Sequence, residues 1–320
     1  MSNVESREPK IGVLLLGFGA PDSLEAVEPF LYNILSSRGE ISPLDFKRRF
    51  EEVIQRYREI GGRSPLLDIT REQAQALEKR LNMGDRGLKV YIAMRHWHPY
   101  IRDKVKDIIG DGIKRVVVLS LSPQYTRMTT GSNIEELKRV LSDLKADLEV
   151  TYIESWHDSP FYLDALAEKV KEGLAWFPEE HREKVQVIFS AHSLPRRLIR
   201  CGDPYLEHLK ATIAGVLERI GPIPWHLAFQ SRGGPGEWLE PEIDSVLDRL
   251  AKEGSREVLV VPISFISDNV EILYDIDIEL RKRAESKGIT KFHRAPSLNA
   301  SPRFIEALTR IVLEHLSKKG

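Results

Sequence analysis

Eight short apolar runs, most of them separated by stretches of helical period, constrain this chain more than any other feature. They lie at Ile11–Phe18, Leu88–Met94, Arg115–Leu121, Glu149–Glu154, Val185–Ser190, His226–Gln230, Glu257–Ser264 and Thr290–Arg294. Amphipathic segments such as "SNIEELKRVLSDLKADL" and "PEIDSVLDRLAKEG" fill the gaps. Strands that are apolar almost throughout, alternating with helices, are buried on both faces, which is the signature of parallel α/β sheets. The eight divide into two sets of four. "VVVLSLSPQY" and "VLVVPISFIS" resemble each other, as do "VLLLGFGAPDS" and "VIFSAHSLPRR". This points to a duplicated domain with a cleft between the copies. The division falls at residues 1–160 and 161–320, with the last helix expected to pack back on the first domain. Residues 20–87 of the first half form a long excursion, the kind that commonly serves as a lid or lip.

Composition removes several function classes. A net charge of -1 over 320 residues leaves no electrostatic footprint for nucleic acid. The single cysteine, Cys201, excludes intrachain disulfides and any all-cysteine metal or iron–sulfur site within one chain. The polar start "MSNVESREPK" is no signal peptide, and the longest apolar runs are too short to cross a bilayer. A reducing, cytoplasmic setting is expected.

Ligands of open parallel sheets bind beyond the carboxyl ends of the strands. Those ends read "GFGAPDS", "MRHWHPY", "SLSPQY", "ESWHDSP", "SAHSLP", "QSRGG", "SFISDN" and "APSLNAS", and they hold His96, His98, His157 and His192. The third glycine of a dinucleotide fingerprint is replaced by Asp22, and no nucleophile elbow is present. After one strand end come Asp268, Glu271, Asp275 and Glu279, which share an arc of roughly 80° on a helix. A solvated polar face is the ordinary explanation of such a stripe; its start at a strand end makes it a candidate site wall. His192 projects from a strand end before Pro195, where it can serve as base or metal ligand. A rival zinc site would use His96 and His98 with His157 or Asp158.

Taken together, "YREIGGRSPL", "MRHWHP", "SPQY" with "TTGS", "SAHSLP", "GDPY", "FQS" with "WLEP", and "SDNVEILYDID" resemble ferrochelatase, in order and from Gly17 to about Ser301. The resemblance implies two similar Rossmann-like domains, each a four-stranded parallel sheet flanked by helices. It also implies insertion of ferrous iron into a porphyrin held in the interdomain cleft. His192 matches the family's active-site histidine and Glu271 its catalytic glutamate, both facing the metal. Tyr57, Ser64 and Tyr125 match porphyrin-contacting positions, and Arg38 is a weaker match to the arginines that meet the propionates.

Insertion must remove two pyrrole protons and bring a divalent cation to the same nitrogens. A histidine and a glutamate can accept protons or ligate iron. Asp268, Asp275 and Glu279 are then expected to carry protons out or draw cations in. "FLYNIL", Trp97 and Trp238 are candidates for the apolar cleft, and Phe30 and Leu31 for a peripheral membrane contact. No tightly bound cofactor and no iron–sulfur cluster are expected, ferrous iron being a substrate. Asn269 departs from the family, which often has histidine there, and so does His96, where tyrosine or another residue is often found. Rivals are a cobalt or nickel chelatase of sirohydrochlorin type and a non-catalytic tetrapyrrole carrier.

Overall fold

A computed structural model describes residues 10–317 apart from 38, 40, 41, 85, 234 and 235. The first half contains β1 (Ile11–Gly17), α1 (Val27–Ser36), α2 (Pro43–Glu59), α3 (Leu66–Leu81), β2 (Lys89–Met94), α4 (Ile101–Gly110), β3 (Arg115–Ser120), α5 (Ser132–Asp143) and β4 (Glu149–Ile153). The second contains α6 (Pro160–Leu174), β5 (Gln186–His192), α7 (Arg196–Arg200), α8 (Tyr205–Ile220), β6 (Trp225–Gln230), α9 (Ile243–Lys252), β7 (Glu257–Pro262), α10 (Arg281–Ser286), β8 (Lys291–Arg294) and α11 (Pro302–Ser317). Short π-helical segments at Arg127–Gly131 and Glu271–Leu280 lead into α5 and α10.

The strand order is β2-β1-β3-β4 in one sheet and β6-β5-β7-β8 in the other, and every pairing is parallel. The second sheet therefore repeats the order of the first, as the paired motifs imply. Central strands β1 and β5 are buried along almost their whole length, which is why their sequences lack polar alternation.

The long excursion has two roles. α3 buries Leu67, Ala74, Leu77 and Leu81 and packs on β2, so it is the crossover helix of the first sheet. α2 buries only Tyr57 and is otherwise a charged helix standing over the cleft. Its start is fixed by Ser42, whose hydroxyl accepts the Asp45 amide at 3.2 Å, and by Pro43 in the first turn. α11 packs against α6 but also against α3 and β3 of the first half. One continuous apolar core, holding Leu15 and Leu119 with Phe189, Val261 and Phe304, consequently runs through both sheets.

Candidate active site

The carboxyl ends of both sheets open on one cleft of about 690 Å³, within the size range of small-molecule sites. Its apolar surface includes Phe30, Leu31 and Ile34 of α1, with Leu121, Trp238 and Phe265 from the strand-end loops. Phe30 and Leu31 are buried and turn into the cleft, so these two side chains do not form an outward membrane contact. Trp97 lies outside the lining and donates its indole N–H to Asp22 at 3.0 Å. At Gly19 (φ +93°) a Cβ would lie 3.0 Å from the Trp97 amide, so only glycine lets the β1 loop pass this close to the next strand end.

His192 ends β5 and Glu271 opens the π-helical segment after β7. Their side chains meet, His192 Nδ1 to Glu271 Oε2, at 2.8 Å. A carboxylate only accepts, so Nδ1 carries the proton of this contact, and in its neutral form the ring has its lone pair on Nε2. The His192 main chain is fixed at both ends: its N–H donates to Ser264 Oγ at 3.1 Å and its carbonyl accepts the Tyr205 hydroxyl at 3.1 Å. Burial alone would raise the Glu271 carboxyl, but His192, the Ser231 hydroxyl and Arg56 hold it below the usual carboxylate range.

Ser231 sits in the left-handed region (φ +64°), uncommon for a residue with a side chain. That conformation places its hydroxyl between two carboxylates, 3.2 Å from Glu271 Oε2 and 3.3 Å from Asp275 Oδ2. Arg56 reaches from α2 to Asp275 Oδ1 at 3.2 Å. Burial pushes the Asp275 carboxyl up to about 6; Arg56 opposes this, while Glu271 and Glu279 add to it. The buried Tyr57 phenol, also on the lining, is raised by burial and by the Glu271 and Asp275 charges, so it remains a donor at neutral pH. In the wider i→i+5 turn, residues four apart advance by less than a full turn, so Glu271, Asp275 and Glu279 still share the cleft face. Glu279 is held by Arg283, which also binds Asp244 of α9.

Several residues expected at the site stand elsewhere. Asp268 precedes the π-helical turn and faces away from the cleft, its carboxylate bound by Ser297 (2.7 Å), Asn299 (2.9 Å) and Arg294 (3.4 Å). Ser64 is buried at the start of α3, where its hydroxyl accepts the Leu66 amide at 3.2 Å. Tyr125 stands outside the cleft lining that its neighbours Leu121, Ser122, Gln124 and Thr126 form, with its hydroxyl against Gly131. Arg38 lies outside the described residues. His96 is buried against Phe18, His98 meets the Tyr100 ring at a tilt of 57°, and His157 stacks on His208 at 3.7 Å. No group of three or more potential metal ligands occurs among the described residues, and the zinc constellation is not assembled.

Sequence reasoning missed Arg49, Arg56 and Ser231. The two arginines lie on the cleft face of α2 two turns apart, a spacing visible in "RRFEEVIQRY" once the face carrying Tyr57 is known. Ser231 follows the strand-end glutamine and gives no sequence signal of its strained backbone.

A family model for ferrochelatase matches residues 10–316. Among curated relatives, the ferrochelatase of Geotalea daltonii is 49% identical over 95% of this chain and 97% of its own. That of Geotalea uraniireducens is 46% identical over 97% and 99%, and that of Aquifex aeolicus 41% identical over 95% and 98%. Among solved structures, SirB from Bacillus subtilis with Fe3+ superposes with a TM-score of 0.57, covering 97% of each chain at 14% identity, a likeness of fold alone. With the repeated sheets, the shared cleft and this coverage in hand, the chain belongs to the ferrochelatase family, whose reaction is the insertion of ferrous iron into a porphyrin in haem synthesis.

Proposed function

We propose that the cleft performs this insertion with His192 and Glu271 as the groups that meet the reacting nitrogens and the incoming iron. The observation that carries the reading is the 2.8 Å His192–Glu271 contact on the cleft wall, with Ser231 leading from Glu271 to Asp275. A macrocycle between the apolar walls presents its pyrrole N–H groups to His192, whose Nε2 lone pair accepts a proton while Glu271 stabilises the imidazolium. Glu271 also offers a hard oxygen to ferrous iron. Asp275 and Glu279 extend the acidic surface outward, which favours both the approach of a cation and the departure of protons. Asp268, bound by Arg294 and Asn299, is left out of this route.

Arg49 and Arg56 are the cleft cations suited to the porphyrin's carboxylates, with the Tyr57 phenol as a further donor. The reading treats residues 1–160 and 161–320 as the two units flanking the cleft, supported by one complete sheet on each side. It requires no resident cofactor, and one cysteine per chain does not furnish the thiolates of an iron–sulfur cluster. No described helix is long and apolar enough to cross a membrane. A peripheral contact would rest instead on Tyr32 and Leu44, 59% and 78% exposed, beside Lys47 and Arg48.

The test is anaerobic. Purified protein, ferrous iron and protoporphyrin or coproporphyrin are followed by absorbance and by loss of porphyrin fluorescence. Metalloporphyrin forming faster than without protein is the expected outcome; tight porphyrin binding with no insertion would replace the reading with a carrier.

A further inference from the structure

Glu271 reaches His192 from the first turn of a π-helical segment, and a first turn is the weakest place in a helix from which to hold a catalytic group. Its leading amides have no partner within the helix, and an i→i+5 ladder leaves one more of them than an α-helix does. Asn269 supplies partners. Its side-chain oxygen accepts the Glu271 amide at 2.9 Å and the Ile272 amide at 3.3 Å, and its main-chain oxygen accepts Ile272 and Leu273 at 3.1 and 2.9 Å. The side-chain NH2 donates to Ser267 O at 3.1 Å, which fixes the orientation of the carboxamide.

The residues on either side are tied down in turn. Gln73 of α3 donates to Ser267 Oγ and to Asn299 O, both at 2.9 Å, bringing the first half of the chain onto this loop. The Asp268 amide donates to Asn299 Oδ1 at 3.0 Å, while the Asp268 carboxylate takes Ser297 and Asn299 on the other side. Asp268 is thus an anchor for the loop that carries the cap.

We propose that Asn269 is a positioning residue for metal insertion: its carboxamide, clamped through Ser267 and Asp268, sets where the Glu271 carboxylate stands relative to His192. A carboxamide suits the task. One oxygen carries two lone pairs for two amides, the NH2 is a separate donor, and none of this changes with protonation. A neutral imidazole has a single acceptor, and an imidazolium has none.

The inference rests on the reading of Glu271 as a reacting group, and Glu271→Gln in parallel separates the two. Asn269→Ala removes the cap, whereas Asn269→Ser keeps a hydroxyl acceptor at the same place. Initial rates of anaerobic ferrous insertion are measured at 25 °C against porphyrin and against metal, with porphyrin binding and the melting temperature recorded for each variant. Asn269→Ala is expected to lose about tenfold in kcat with its porphyrin KM unchanged, and Asn269→Ser to return within about threefold of the parent. Wild-type kcat in Asn269→Ala with only a lowered melting temperature, beside an inactive Glu271→Gln, overturns the positioning role alone. An active Glu271→Gln overturns the reading beneath it. Should Asn269→Ala not fold, Asn269→Ser decides: a loss of more than about tenfold there shows that an acceptor at this place does not suffice, and the proposal fails.

Discussion

Arg56 Nη1 stands 3.2 Å from Asp275 Oδ1, joining α2 to the π-helical segment across the cleft. The same guanidinium lies 5.5 Å from the centre of the Tyr274 ring. The bond links the wall suited to a porphyrin's carboxylates to the acidic row suited to protons and cations. A porphyrin carboxylate that competes for Arg56 therefore changes the charge environment of Asp275.

Replacing Arg56 by Gln removes the group that opposes the rise of the Asp275 pKa. Asp275, at about 6 in the parent, is expected to titrate higher, since an opposite charge at this distance lowers a carboxyl by about 1–3 units. If ionised Asp275 takes part in turnover, the acid limb of the kcat profile moves to higher pH by about one unit. An unmoved acid limb would separate Asp275 from the reaction.

Asp275 is also expected to limit stability. Its pKa is about 6 folded and near the ordinary carboxylate value unfolded, so the folded form takes up a proton first as pH falls. Above pH 6 the buried charge is unfavourable; below about pH 4 both states are protonated and that cost is gone. Asp275→Asn should raise stability at pH 7–8 by on the order of 1–2 kcal/mol, with the gain fading through pH 6 to 4. Denaturant unfolding at both ends of that range checks the sign, and a loss of insertion in the same variant would show function maintained against stability.

His192→Ala should reduce insertion by about 10²- to 10⁴-fold while porphyrin still binds, because the cleft walls do not depend on the imidazole. Fluorescence quenching reports the binding and metalloporphyrin absorbance the turnover. Substantial residual insertion would remove His192 from the centre of the mechanism.

Arg49 is held by no carboxylate among the described residues, whereas Arg56 faces Asp275, Arg232 faces Glu240 and Glu242, and Arg283 faces Asp244 and Glu279. Arg49→Gln should therefore raise the porphyrin KM by about tenfold with little change in kcat, the loss of a charge-assisted contact. Equal KM values for the variant and the parent would place the substrate's carboxylates elsewhere.

The sheets were legible because burial on both faces leaves unbroken apolar runs, and because strand ends mark where ligands gather. His192 and Glu271 follow from that rule together with the family motifs. What the rule omits is side-chain direction. Tyr125 and Thr126 occupy the same strand-end loop, but only Thr126 lines the cleft, while the Tyr125 hydroxyl lies against Gly131. Asp268 shares an arc with Glu271 only if the helix already runs through it; the π-helical segment begins at Glu271, and Asp268 turns to Arg294 instead. Arg49 escaped because α2 carries charged side chains along its whole length, and the sequence does not mark which of them turn into the cleft.

α11 is the last described element of the chain, yet it covers α3 and β3 of the first sheet. On the ribosome the first four strands are therefore made long before the helix that shields them. Until α11 emerges, part of that sheet's apolar face is open to solvent or to a chaperone. A chain cut before Pro302 would lose more than its tail: it would uncover the half synthesised first, and aggregation of such fragments is the expected sign of that debt to the end of the sequence.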